Sequence, residues 1–197
     1  PRHKEKRFRT QVNFNTMKST MKPVKEKQAG AFDAMKAEFG YKAKLSAPRL
    51  TKVVVSATTG RSKDKKRNEM VMARIAKITG QKPSLRAAKK SIAAFKVREG
   101  DKVGVAVTLR GARMMGFLDK FFNVAIPRTR DFRGFESKSI DEMGNLTLGI
   151  KEQTIFPEVA DEEAKDLFGM AVTIVTTAKG KKEAAKFFEI IGVPLKK

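Results

Sequence analysis

Between Val24 and Phe39, "VKEKQAGAFDAMKAEF", apolar residues recur at roughly helical spacing and Gly40 follows as a stop, which predicts one helix. The β-branched run "TKVVVSAT" predicts a strand. "SKDKKRNEMVMARIAKITG" returns to the helical period, with Ser62 as N-cap, Met70, Ile75 and Ile78 facing inward as core, and Gly80 as terminator. "SIAAFKVREGDKVGVAVTLRG" predicts two strands, Ser91 to Arg98 and Val103 to Arg110, turned at Glu99, Gly100 and Asp101. Alternation is strongest in the second, where Val103, Val105 and Val107 share one face and Gly104, Ala106 and Thr108 the other. A face of such small residues lets a flat partner approach closely. "ARMMGFLDKFFNVAI" predicts a helix stopped by Pro127. A strand over "NLTLGIKEQTIF", a short acidic helix over "DEEAKDLFG", a last strand "MAVTIVTTA" and a last helix "KKEAAKFFEII", closed by "GVP", complete the chain. Strands and helices mix without a regular βαβ alternation, so the expected fold class is α+β, a mostly antiparallel β-sheet with helices packed on one side.

Residues 1–23 carry few large aliphatics and many cations. They are expected to form a basic N-terminal arm, disordered alone and ordered by a partner, ahead of a single α+β domain over 24–197. The one histidine, His3, belongs to this arm and reads as a solvated tail residue. The Arg/Lys-rich, acid-poor start also has the composition of an organellar transit peptide, but it shows little amphipathic periodicity, which favours an RNA-binding arm. No apolar run approaches a membrane span, and neither a secretory core nor a lipidation signal is found, so no membrane partner is expected.

Charge narrows the function. The 43 Lys+Arg against 21 Asp+Glu give a formal net charge of +22 and a pI near 10.3. Such an excess repels itself unless a polyanion neutralises it, and phosphate backbones do so with entropic release of counterions. With no cysteine there is no thiolate nucleophile and no Cys-containing zinc site. The remaining catalytic templates fail in turn. "GARMMGF" spaces its glycines like a P-loop, yet Phe117 and Leu118 stand where Lys and Ser/Thr would be needed. The acidic pairs at Asp141 and Glu142 and at Asp161 to Glu163 sit in predicted turns or helix starts, where carboxylates complement the dipole. No catalytic residue, metal ligand set or cofactor is expected.

Two basic segments survive the same scrutiny. In "QKPSLRAAKKSIAAFKVREG", Lys82, Arg86, Lys89, Lys90, Lys96 and Arg98 surround Phe95. Cations can hold a phosphate backbone while an aromatic stacks on a base, although a solvated charge run with Phe95 in the core has the same composition. In "IPRTRDFRGF", Arg128, Arg130 and Arg133 alternate imperfectly with Phe132 and Phe135, and Asp131 could orient an arginine by a bidentate pair. That segment reads as an anion-binding loop or as a structural Arg–Asp knot.

These motifs resemble the universal L-five family of large-subunit ribosomal proteins, of bacterial type. The resemblance rests on "TGQKP" at Thr79 to Pro83, "AKKSIAAFKVREG" at Ala88 to Gly100, "VTLRG" at Val107 to Gly111, "IPRTRDFRGF" at Ile126 to Phe135, "GIKEQTIFPE" at Gly149 to Glu158 and "TIVTTAK" at Thr173 to Lys179, in order from about Val24 onward. It implies a structural constituent of the large subunit, in the central protuberance of a cytoplasmic ribosome, with an organellar ribosome of bacterial type as the lesser choice. The implied partners are 5S rRNA, large-subunit rRNA, P-site tRNA and a small-subunit head protein across an intersubunit bridge. The 5S rRNA contacts would fall on Ser56, Gln81, Thr108, Arg110 and Gly111. The tRNA-contacting loop would comprise Ile92, Ala93, Ala94, Phe95, Lys96, Val97 and Arg98, and the interface loop Arg128, Arg130, Asp131 and Arg133. Two departures stand out. Ser56 replaces a usual asparagine, keeping a donor but losing the bidentate option, and Ala94 replaces a usual glycine beside Phe95. The rivals are a free-standing RNA-modifying factor, which would need an acid/base pair, and a general nucleic-acid-binding basic protein.

Overall fold

The computed structural model describes residues 22–60, 65–130, 132, 134–160 and 167–196. Most of the arm, the N-cap assigned to Ser62 and most of the acidic helix at 161–169 lie outside them.

Helix α1 (Val24–Phe39) ends where expected, with Gly40 at φ 65° returning its N–H to the Lys36 carbonyl. Strand β1 (Leu50–Thr58) leads to helix α2 (Lys65–Thr79), whose inner face buries Val71, Ile75 and Ile78 with Met70 half-buried beside them. Strands β2 (Ser84–Ala87) and β3 (Lys102–Leu109) follow, then helix α3 (Gly111–Lys120). Strands β4 (Leu146–Ile150) and β5 (Met170–Thr176) and helix α4 (Lys181–Ile191) close the fold. The sheet order is β2-β3-β1-β5-β4 and every pairing is antiparallel. The α+β expectation holds.

Register places one face of the sheet under the helices. Val53 lies opposite Leu109 and Ile174, and Val55 opposite Val107 and Val172, all of them buried in one core with residues from all four helices. Within that core the rings of Phe117, Phe121 and Phe156 stack at centroid separations of 5.8 to 6.1 Å. A second seam joins α1 to α4: the Tyr41 hydroxyl donates to the Glu183 carboxylate, which also receives the Lys179 N–H at 2.6 Å. Burial and that carboxylate both push the Tyr41 phenol upward.

Three boundaries differ from the sequence expectation. The first partner of β3 is Ser84–Ala87, not Ser91–Arg98; the latter run is a projecting connection with a lone bridge between Ile92 and Val97 and a 3₁₀ turn over Ala93–Phe95. Alternating apolar residues form a sheet strand only where one face has a core to cover, and here Ile92 is 47% and Phe95 75% exposed. The helix after Gly111 does not stop before Pro127. It widens into a π-turn at Phe121–Ala125 and tightens into a 3₁₀ turn at Ile126–Arg128, whose second position accepts a proline. The strand at "NLTLGIKEQTIF" ends at Ile150, because its last rung, opposite Met170, is where β5 begins. Beyond it the buried Gln153 accepts the Phe168 N–H at 2.8 Å.

Candidate nucleic-acid interface

The face of the sheet opposite the helices is assembled from the alternate residues of each strand, and its composition departs from the core face. In one rung across the sheet, Gly149 on β4 lies opposite Ala171 on β5, Ala171 opposite Ser56 on β1, Ser56 opposite Ala106 on β3, and Ala106 opposite Ser84 on β2. No side chain in this row is larger than a hydroxymethyl group. The flanking rung carries Thr147, Thr173, Val54 and Thr108. The Thr147 and Thr173 hydroxyls are 3.2 Å apart. The result is a smooth trough floored by methyls, hydroxyls and backbone, with Arg86 and Lys52 at its margins. Gly104 extends the small row toward Thr58; a Cβ there would stand 3.1 Å from the Ala57 carbonyl.

Of the five residues singled out, Thr108, Arg110 and Gly111 fall at the C-terminal end of β3 with Gln81 bonded to Thr108, while Ser56 stands mid-row on the central strand β1. Ser56 and Thr108 are diagonal neighbours on adjacent strands, both half-buried on the open side. Gln81 follows Gly80, whose φ of 67° turns the chain off α2, and its Nε2 donates to the Thr108 carbonyl at 3.2 Å. Thr79 steadies the turn by donating to the Ile75 carbonyl at 2.7 Å, with the Gln81 carbonyl 3.2 Å from the same hydroxyl. Arg110 caps α3 from an extended backbone and is exposed. Gly111 sits at φ 57° with nothing within 4 Å of a would-be Cβ, so the backbone there is bare. Hydroxyls, an amide, a guanidinium and exposed backbone are the groups that bond sugars and phosphates.

The Ile92-to-Arg98 loop lies apart from this cluster, beyond the β2–β3 edge. It is braced by its own bonds: Ile92 and Val97 exchange N–H to carbonyl bonds at 2.9 and 3.2 Å, and Ser91 Oγ accepts the Glu99 N–H at 2.9 Å. The Asp101 carboxylate accepts the Arg98 N–H at 2.9 Å. Lys96 holds φ 52°, and among the described residues it is the non-glycine with positive φ. Ala93, Ala94, Phe95, Lys96 and Arg98 are all exposed, so the tip presents an aromatic ring between cations.

The third cluster is divided. Arg128 and Arg130 are exposed, while Asp131 and Arg133 lie outside the described residues. The Arg–Asp knot therefore lies outside the described residues, and the contacts seen beside it are of another kind. Phe132 and Phe135 meet edge to face at 4.9 Å, and Phe135 donates to the Pro194 carbonyl at 2.8 Å and accepts from the Lys196 N–H at 2.7 Å. Gly134, at φ 95°, lets this parallel contact close, because a Cβ would lie 3.1 Å from the Lys196 nitrogen. The adjoining "IDEMGN" turn is tied by Asp141, whose carboxylate accepts the Asn145 N–H at 2.6 Å and its side-chain amide at 2.9 Å. Desolvation works to raise this carboxyl, but bonds from Asn145 and Met143 hold it below its ordinary range.

Sequence reasoning missed the full five-strand row. Glycine, alanine and serine alternate with large residues in each strand separately, which was the available signal, but only register aligns them into one trough.

Residues 44–98 match the family described as ribosomal protein L5, and residues 102–195 match the C-terminus of that ribosomal family. The large ribosomal subunit protein uL5 of Heliobacterium modesticaldum is 48% identical over 178 residues, 89% of this chain and 99% of that protein. Its namesake in Carboxydothermus hydrogenoformans is 45% identical over 176 residues, 88% and 98% of the two chains, and that of Mesoplasma florum 48% over 161 residues, 81% and 89%.

Proposed function

This chain belongs to the ribosomal protein L5 family, and from that premise we propose that it binds 5S ribosomal RNA through the helix-free face of its sheet. It is a structural, non-enzymatic constituent of the large ribosomal subunit. The observation that carries the finer reading is the row from Gly149 to Ser84, with Thr108 on the flanking rung, Gln81 bonded to it and Arg110 and Gly111 next along the chain. A trough without protruding side chains admits a ribose-phosphate backbone to hydrogen-bonding distance of hydroxyls and exposed main chain, and Arg110 supplies a planar fork for phosphate.

The other two clusters take different partners in this reading. The Ile92-to-Arg98 tip, with Phe95 exposed between Lys96 and Arg98, suits the folded P-site tRNA, since a ring can pack on a base or sugar while cations hold phosphates. Exposed Arg128 and Arg130, at the end of the 3₁₀ turn over Ile126–Arg128, suit an acidic or hydrogen-bonding surface of a small-subunit head protein. Phe132 and Gly134 then hold the segment against its neighbours and the arginines make the contact.

The deciding experiment is an equilibrium titration of the purified chain against 5S rRNA and a size-matched unrelated folded RNA across a salt series. Preference for 5S rRNA that persists as salt rises reports shaped contacts beyond charge. Equal affinities with equal, steep salt slopes would leave a generic polycation and refute the reading.

A further inference from the structure

Beside the Gln81 turn, the C-terminal end of α2 and the outer side of α3 enclose a cleft. Arg113, Gly116 and Lys120 share one stripe of α3, spaced three and four residues apart, and Lys77 and Gly80 form the facing wall. The buried ring of Phe117 closes the floor.

Two features keep the cleft open and cationic. At Gly116 no heavy atom lies within 4 Å of a would-be Cβ, so the middle of the α3 wall is bare backbone. At the back, Lys120 Nζ donates to the Ile78 carbonyl at 2.6 Å and to Glu158 at 2.5 Å. A helix C-terminus is electronegative and would ordinarily repel an anion. Here three of its carbonyls are occupied: Lys120 takes Ile78, the Gly80 N–H takes Ala76 at 2.8 Å, and the Thr79 hydroxyl takes Ile75. Glu158 offsets Lys120, and Arg113 is exposed at the mouth.

The cleft begins next to Gln81 and one turn along α3 from Arg110 and Gly111. A strand leaving the open sheet face over Gly111 therefore runs into it. We propose that the cleft takes a phosphodiester of the bound RNA backbone, with Arg113 reaching its oxygens across the uncrowded wall at Gly116. This inference rests on the RNA-binding reading of the sheet face.

The test uses the full chain and 5S rRNA with four variants: Gly116→Ala, Gly116→Glu, Arg113→Gln and, as a control for loss of one charge elsewhere, the exposed Lys138→Gln. Gly116 has no positive φ and faces open space, so alanine and glutamate both fit the helix, and thermal unfolding should show no loss for Gly116→Ala. Gly116→Ala and Lys138→Gln should bind within about twofold of the parent, while Gly116→Glu and Arg113→Gln should weaken binding roughly tenfold or more, as for loss of a charge-assisted bond. For Arg113→Gln the slope of log K against log salt should fall by about 1. If the parent prefers 5S rRNA but Arg113→Gln falls no further than Lys138→Gln and Gly116→Glu binds normally, the cleft is not a contact and the sheet-face reading stands. If the parent shows no preference for 5S rRNA, both readings fall together.

Discussion

Substituting Ser56 probes the open face without touching the core. Ser56 stands mid-row between Ala106 and Ala171, so a longer side chain projects over two methyls and away from the buried side of β1. Ser56→Ala removes one hydroxyl, and a net hydrogen bond of about 0.5 to 1.5 kcal/mol corresponds to a roughly 2- to 12-fold loss of affinity. Ser56→Glu adds a carboxylate beside the phosphates. At about 5 Å and an effective dielectric of roughly 80 to 20, the repulsion is about 0.8 to 3.3 kcal/mol. Together with the lost hydroxyl this sets a floor of roughly tenfold weaker binding at low salt, shrinking as salt screens the charge. Fluorescence anisotropy with labelled 5S rRNA over a salt series measures it, and the thermal midpoint checks the fold, with a shift of at most about 2 °C expected for an exposed-face substitution. A folded Ser56→Glu chain that binds 5S rRNA as tightly as the parent would show that the RNA does not cross this row.

Changing Lys96 and Arg98 together to Ala should leave 5S rRNA affinity nearly intact while impairing tRNA engagement on reconstituted ribosomes, since the tip lies away from the sheet face; collapse of 5S binding instead would merge the two surfaces. The Asp141 carboxyl is held below its ordinary value, so its contribution is present above the unfolded carboxylate pKa of about 3.9 and is lost as pH falls through the lower folded value. Thermal midpoints of Asp141→Ala and the parent should accordingly differ at neutral pH and converge in acid; a gap independent of pH would discredit the charge as its source. Gly134→Ala places a Cβ against the Lys196 and Pro194 backbone at an unfavourable φ, at a cost of about 1 to 3 kcal/mol. Hydrogen exchange should quicken at the Phe135 and Lys196 amides, which bridge that contact, and unchanged protection there would count against the strain.

Local chemistry was legible from the residues alone wherever a short-range cause dominates. Gly40, Gly80 and Gly192 end helices because only a residue tolerant of positive φ closes those turns, and the valines of β3 and the isoleucines of α2 declare their core faces by period. The net charge of +22 and the motifs from Thr79 to Lys179 were sufficient to indicate a ribosomal, RNA-associated chain. Pairing was not legible. "SIAAFKV" has strand composition, yet β3 takes Ser84–Ala87, because pairing depends on which backbone lies over the core and not on the intrinsic preference of the segment. For the same reason five separate small residues became one trough only through antiparallel register, and Arg113 and Lys77, 36 positions apart, came to flank one cleft only through the packing of α2 beside α3. Residue type determined what each group can bond; the tertiary structure decided which groups act together, since period and charge are properties of a segment whereas adjacency across strands and helices is set by packing of the whole chain.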